Sequence, residues 1–193
     1  MQIIRVITGQ LEENTYIVSE DGANAVIVDP GDNAPDVIGV LKERNLTPVL
    51  LLLTHGHWDH TGAITALQQN YGVPVAVHRE DNGLMRGSVP DVEQVRFVDG
   101  EEVLEMDGLR IQVLHTPGHS RGSCCYLVDG ALFAGDTLFA GSIGRTDFPE
   151  SDPQAMKVSL DILRQLPDKT RVFPGHGPET TIGHEKMTNP WLR

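Results

Sequence analysis

The segment VLLLLTHGHWDHTGAI, residues 49–64, constrains this chain more than any other. Its apolar half shows no polar alternation, so it reads as a strand covered on both faces. The chain then places His55, His57, Asp59 and His60 within six residues, with Gly56 and Trp58 between them. Any fold must therefore bury this strand and open its end onto a crowd of imidazole and carboxylate groups. These are the donor types that suit zinc, iron or manganese. Gly56 is expected to let the loop fold close to an ion, having no side chain of its own.

Three further candidates follow other predicted strands. His119 lies in TPGHS after IQVLH, Asp136 in AGDTL after ALF, and His176 in PGHG after RVF. Loops at one edge of a sheet scaffold bring such distant residues together. A catalytic zinc commonly takes three protein ligands and keeps one position for water, whereas a structural zinc is closed by four, often cysteines. Seven candidates exceed one ion. Two ions would use them with His55, His57 and His119 on the first, Asp59, His60 and His176 on the second, and Asp136 between them. The other three of the eight histidines, His78, His115 and His184, read as ordinary structural or surface residues.

The remaining pattern is strands in runs with helices interspersed. IIRVI, NTYIVS and NAVIVD read as strands, the last two joined by a turn at Glu20–Gly22. A helix is expected over 35–45, another in TGAITALQQNYG ending at Gly72, and a third in DPQAMKVSLDILRQLP, capped by Asp152 with Pro153 in its first turn. VPVAVH, LRIQVLH, SCCYLVDG, ALFAGD and TRVFPGHG supply further strands, and residues 79–100 short helices and loops. This favours two packed sheets with helices outside.

Composition excludes other classes. The 193 residues suffice for a substantial core in one domain, 1–193. A net charge of −12 without a Lys/Arg-rich run argues against a nucleic-acid partner. No apolar run approaches a membrane span, and the start, MQIIRVITGQ, lacks a signal-peptide pattern. Adjacent Cys124 and Cys125 read as two reduced thiols in a strand, which fits a cytoplasmic location. A monomer acting on a small molecule is expected.

THGHWDH, TPGHS, AGDTLF and PGHG, with VDPG at Asp29, resemble the signature of the metallo-β-lactamase superfamily. That resemblance implies an α/β fold, an αβ/βα sandwich of two mixed β-sheets flanked by helices. GDTLFAGSIGRTDFP and PGHGPETTIGHEKMTNPW most resemble short bacterial type II glyoxalases, the hydroxyacylglutathione hydrolases. The implied activity is hydrolysis of a glutathione thioester such as S-lactoylglutathione by a metal-bridging hydroxide. The implied cofactors are two divalent ions, zinc first, with iron or manganese as alternatives. The resemblance further implies Asp59 as the hydroxide's orienting partner, Asp29 as a support of the metal loop, and Arg145 as a substrate contact.

The chain departs from the longer glyoxalases in three places. No counterpart of their C-terminal helical domain is expected. Asp147 stands where a tyrosine is expected, and Gly177-Pro178 where they carry Glu-Tyr. Thioester hydrolysis is thus better supported than glutathione specificity, and Arg145 has a second reading as a local partner of Asp147 or Asp136. Three rivals share these residues: a persulfide dioxygenase with one iron on His55, His119 and Asp136, a lactonase or β-lactamase, and a non-catalytic metal-binding protein. The charge disfavours an RNA-processing nuclease.

Overall fold

A computed structural model describes residues 1–193. The first sheet holds six strands in chain order: β1 (Gln2–Thr8), β2 (Glu13–Ser19), β3 (Asn24–Val28), β4 (Thr47–Leu52), β5 (Val75–His78) and β6 (Val95–Val98). β1, β2 and β3 pair antiparallel, and β3 to β6 run parallel. Parallel neighbours need crossovers. These contain α1 (Ala34–Arg44), α2 (Ile64–Tyr71) and α3 (Asn82–Ser88).

The chain continues through β7 (Val103–Met106), β8 (Leu109–His115), β9 (Cys124–Val128) and β10 (Ala131–Gly135). A separate ribbon, β11 (Leu138–Phe139) with β12 (Ser142–Ile143), follows. Next come α4 (Pro153–Arg164), β13 (Arg171–Pro174), β14 (Thr180–Thr181) and α5 (Ile182–Thr188). The second sheet has the order β14-β13-β10-β9-β8-β7, with β10 and β13 parallel across α4. The architecture is two mixed sheets flanked by helices, as the sequence resemblance implied.

The continuous apolar strands follow from this layering. Leu50 and Leu52 of β4, like Val26 and Val28 of β3, enter the core between the sheets. Their neighbours Leu51, Leu53, Ala25 and Ile27 enter the layer under α1 and α2. Full burial of each leucine or isoleucine stabilises the fold by roughly 1.5–3 kcal/mol, so both faces favour the same register. Between the sheets, Phe133 and Phe173 stack at 5.2 Å, with the Tyr16 ring edge-on at 5.4 and 5.5 Å. Cys124 and Cys125 are buried free thiols on opposite faces of β9.

The α4 cap is as expected: Asp152 accepts hydrogen bonds from the amides of Gln154 and Ala155. Besides the two-residue strands β11, β12 and β14, β6 and α5 lie outside the sequence expectation. β6 closes the parallel edge with Arg96 and Phe97 exposed, so its burial signal is weak. α5 is seven residues long and draws its start from Thr181, whose hydroxyl accepts from His184 N. No helix is long and apolar enough to cross a membrane.

Candidate metal centre

Every predicted donor leaves the end of a strand at one edge of the sandwich. His55 and His57 follow β4, and a 3-10 turn, Trp58–His60, presents Asp59 and His60. His119 follows β8, Asp136 follows β10 and His176 follows β13. His57 Nδ1 lies 2.9 Å from His119 Nε2, and the His55 ring stands 4.8 Å from each of those rings. Asp59 Oδ2 lies 3.3 Å from His176 Nε2 and 3.7 Å from His60 Nε2. Asp136 faces both groups, Oδ1 at 3.5 Å from His60 Nε2 and Oδ2 at 3.5 Å from His119 Nε2. Donor atoms of His55, His57 and His119 all fall within 4.8 Å of one another, as do those of Asp59, His60 and His176. All seven residues read from the sequence therefore converge, and donor atoms of His55, His60 and Asp136 also fall within 4.8 Å of one another, so the two groups adjoin.

These residues fit cations. His55 Nε2, His60 Nε2 and Asp136 Oδ1 are buried without a hydrogen-bond partner. Each unsatisfied buried polar group costs about 1–3 kcal/mol, a cost that coordination would remove. Burial, reinforced by the charge of His60, holds the His55 pKa well below the usual imidazole range. Burial lowers that of His119 as well. Both are thus kept as neutral imidazoles, the ligating form. At His60 burial opposes protonation, but Asp136 and Asp29 outweigh it and raise the pKa well above normal. Burial also raises the Asp59 pKa, yet the His176 hydrogen bond and the charge of His60 prevail and hold it at about 2. The second group attracts positive charge.

The far nitrogens of the rings support the same reading. His119 Nδ1 donates to Arg145 O at 2.9 Å and His176 Nδ1 to Leu11 O at 3.1 Å. His57 Nε2 faces Glu150 Oε1 at 2.8 Å. His55 Nδ1 lies 3.1 Å from Thr54 Oγ1, whose own hydrogen goes to Asp29 Oδ2. Asp29 also accepts Thr54 N at 2.7 Å and lies 3.1 Å from His60 Nδ1. His55, His57, His119 and His176 thus each have a partner that orients the ring and turns its other nitrogen inward, the arrangement metal-ligating histidines require, and the Asp29 carboxylate stands against His60 Nδ1 without a well-formed hydrogen bond.

Glu150, Glu13 and Asp81 carry no motif signal and were not expected at the site. Glu13 Oε1 sits 3.8 Å from His60 Nδ1, and its Oε2 accepts from the hydroxyls of Thr8 and Thr15. Burial pushes its carboxyl well above the usual range. Gly56 also has a packing reason that the sequence did not show. A Cβ there would stand 2.7 Å from Asp81 O and 2.8 Å from Met85 N, so close packing on the start of α3 demands glycine.

His57, Asp59, His119, Asp136 and His176 floor a cleft of about 420 Å³ walled by Leu11, Trp58, Phe139, Ile143 and Phe148. Arg145 lines it too. Its guanidinium makes two hydrogen bonds to Asp147, at 2.9 and 3.0 Å, and lies 4.3 Å above the Phe148 ring. His78 and His115 stack on each other at 4.1 Å and do not line the cleft, and neither does His184 on α5.

The sequence profile of the Metallo-beta-lactamase superfamily matches residues 8–176. The hydroxyacylglutathione hydrolase GloC of Haemophilus influenzae is 37% identical over 197 residues, covering 94% of this chain and 93% of that protein. The BLEG-1 B3 metallo-beta-lactamase structure superposes with a TM-score of 0.89 at 36% identity, covering 99% of each chain. TTHA1623, solved in a di-iron-bound form, superposes with a TM-score of 0.89 at 38% identity, covering 98% of this chain and all of that one. A profile match across most of the chain, with relatives this similar along nearly its full length, means that the protein belongs to the metallo-beta-lactamase superfamily.

Proposed function

We propose that this protein is a two-metal hydrolase that cleaves a thioester, with a glutathione-derived substrate such as S-lactoylglutathione. The observation that carries the reading is the pair of donor groups facing a shared Asp136 at the floor of a partly apolar cleft. His55, His57 and His119 would hold one ion, Asp59, His60 and His176 the other, with Asp136 reaching both. Zinc is the first choice, and the di-iron form of TTHA1623 supports iron as the alternative. When bound, such ions lower the pKa of a coordinated water and polarise a carbonyl.

The chain's own groups favour a thioester. Asp59 is held ionised, so its carboxylate can accept a hydrogen bond from the attacking water and orient it. The apolar wall excludes bulk water and strengthens charge interactions at the floor. Nearly every acid or base there is committed, Glu150 to His57 and the histidines to their own acceptors. A thiolate leaving group, with a thiol pKa near 8.5, needs little protonation; an amine would need more. The glutathione part rests on the likeness to the Haemophilus hydrolase.

A persulfide dioxygenase with one iron is the second reading, because His55 groups with His119 in one donor set and with Asp136 in another, and His119 Nε2 lies 3.5 Å from Asp136 Oδ2. The deciding experiment is turnover of S-lactoylglutathione by protein of defined metal content, with oxygen consumption recorded in parallel. Hydrolysis that is lost on chelation, restored by two equivalents of metal and free of oxygen uptake is expected. A stable single iron with oxygen uptake on a persulfide, and no thioester turnover, overturns the proposal. Hydrolysis of a β-lactam in place of the thioester would move the substrate toward that named for BLEG-1.

A further inference from the structure

The first donor group is assembled across the sandwich. His55 and His57 leave β4 of one sheet, whereas His119 leaves β8 of the other. Below the loops, Cys124 N donates to Thr54 O at 2.7 Å and Tyr126 Oη to Leu53 O at 2.6 Å, joining the strand ends. Nearer the histidines, Asp81 joins both loops. It lies at the end of a 3-10 turn, Arg79–Asp81, after β5 and is 1% exposed. Its Oδ2 accepts Gly56 N at 2.9 Å and Ser120 Oγ at 2.6 Å. Its Oδ1 accepts Gly122 N at 2.6 Å.

These bonds land beside the ligands. Gly56 separates His55 from His57, and Ser120 follows His119 in the chain. Both glycines are shaped to the contact: a Cβ on Gly122 would stand 2.7 Å from Asp81 Oδ1, and one on Gly56 2.7 Å from Asp81 O. A carboxylate that accepts three short bonds is a charge-assisted clasp, stronger than neutral hydrogen bonds of the same length. Asp81 does not line the cleft. It makes no hydrogen bond to Asp59, His60 or His176; Asp29 and Leu11 O face the latter two instead.

We propose that Asp81 is a positioning residue for the first metal site, setting the reach between His57 and His119 while leaving the second site independent. The proposal rests on the two-site reading of the donors. Asp81→Asn keeps the shape but turns an NH2 group toward the N–H of either Gly122 or Gly56, so the clasp loses at least one of its three bonds together with its charge.

The test is a stepwise zinc titration against a chelator, with His119→Ala and His176→Ala used to assign each step. Asp81→Asn is expected to weaken the step that His119→Ala abolishes by about tenfold to a hundredfold, and to leave the other unchanged. In metal-free protein the Gly56 and Gly122 amides should lose hydrogen-exchange protection. Ser120→Ala removes one bond of the clasp and should produce a smaller loss at the same step. Folded Asp81→Asn protein that binds as the parent does overturns the proposal. So does equal weakening of both steps in proportion to a lowered melting temperature, which marks a general structural role. A parent that takes one ion overturns the two-ion reading alone; Asp81 is then judged on the step that His119→Ala abolishes.

Discussion

Glu150 Oε1 lies 2.8 Å from His57 Nε2, 93 residues away in the chain, and that contact turns Nδ1 of His57 toward His119. The other four histidines of the centre have their Nδ1 atoms against Thr54, Asp29, Arg145 O and Leu11 O, so each presents Nε2. His57 alone is reversed. Removing the acceptor should release the ring. Glu150→Ala is expected to weaken zinc at the first site by about tenfold to a hundredfold. Glu150→Gln, whose amide oxygen still accepts, should lose less. A zinc competition titration of both variants checks the order.

Asp59→Asn should lose far more turnover than metal. Asp59 belongs to the second group only, so the first ion keeps His55, His57 and His119. The amide cannot act as the ionised partner of the attacking water. A fall in kcat on the order of a hundredfold or more is expected, by analogy with removal of one preorganised electrostatic group. Elemental analysis beside steady-state kinetics checks it, and near-parent turnover at full metal occupancy would remove Asp59 from the reaction.

Arg145 has two separable parts. Its carbonyl accepts from His119 Nδ1, whereas its exposed guanidinium pairs with Asp147. Arg145→Ala keeps the carbonyl, so the expected change is a raised KM for a glutathione thioester with kcat nearly intact, the mark of lost uniform binding. A thioester without the glutathione carboxylates should be unaffected. Asp147→Asn, which frees the guanidinium, should lower the same KM. Equal damage to kcat on both substrates would assign the side chain to support of the loop.

Tyr126→Phe tests the seam beneath the loops. The buried hydroxyl donates to Leu53 O at 2.6 Å, and its loss leaves that carbonyl without this partner. Destabilisation of about 1–3 kcal/mol is expected. Urea denaturation with an unchanged m-value would confirm that only stability has moved. The Tyr126 ring remains to fill the core, so two-ion binding should persist.

The sequence by itself determined which residues are candidate donors and which strands carry them. H-x-H-x-D-H is a local pattern at the end of β4, and His119, Asp136 and His176 each follow a strand of apolar or β-branched residues. A strand covered on both faces announces itself by the lack of alternation that Leu50–Leu53 show. Tertiary structure alone decided which nitrogen each histidine turns inward. Glu150, Asp81 and Glu13 are ordinary acids in the sequence, and their partners lie across the sandwich, on a neighbouring strand or in the turn after β4. The role of Arg145 was legible only as alternatives, and the pairing with Asp147 depends on how the loop after β12 folds. β6 and α5 escaped because each buries few side chains and so leaves little periodicity to read. Donor identity is a property of the residue, whereas orientation is a property of the contacts around it, and those contacts form only when the two sheets close.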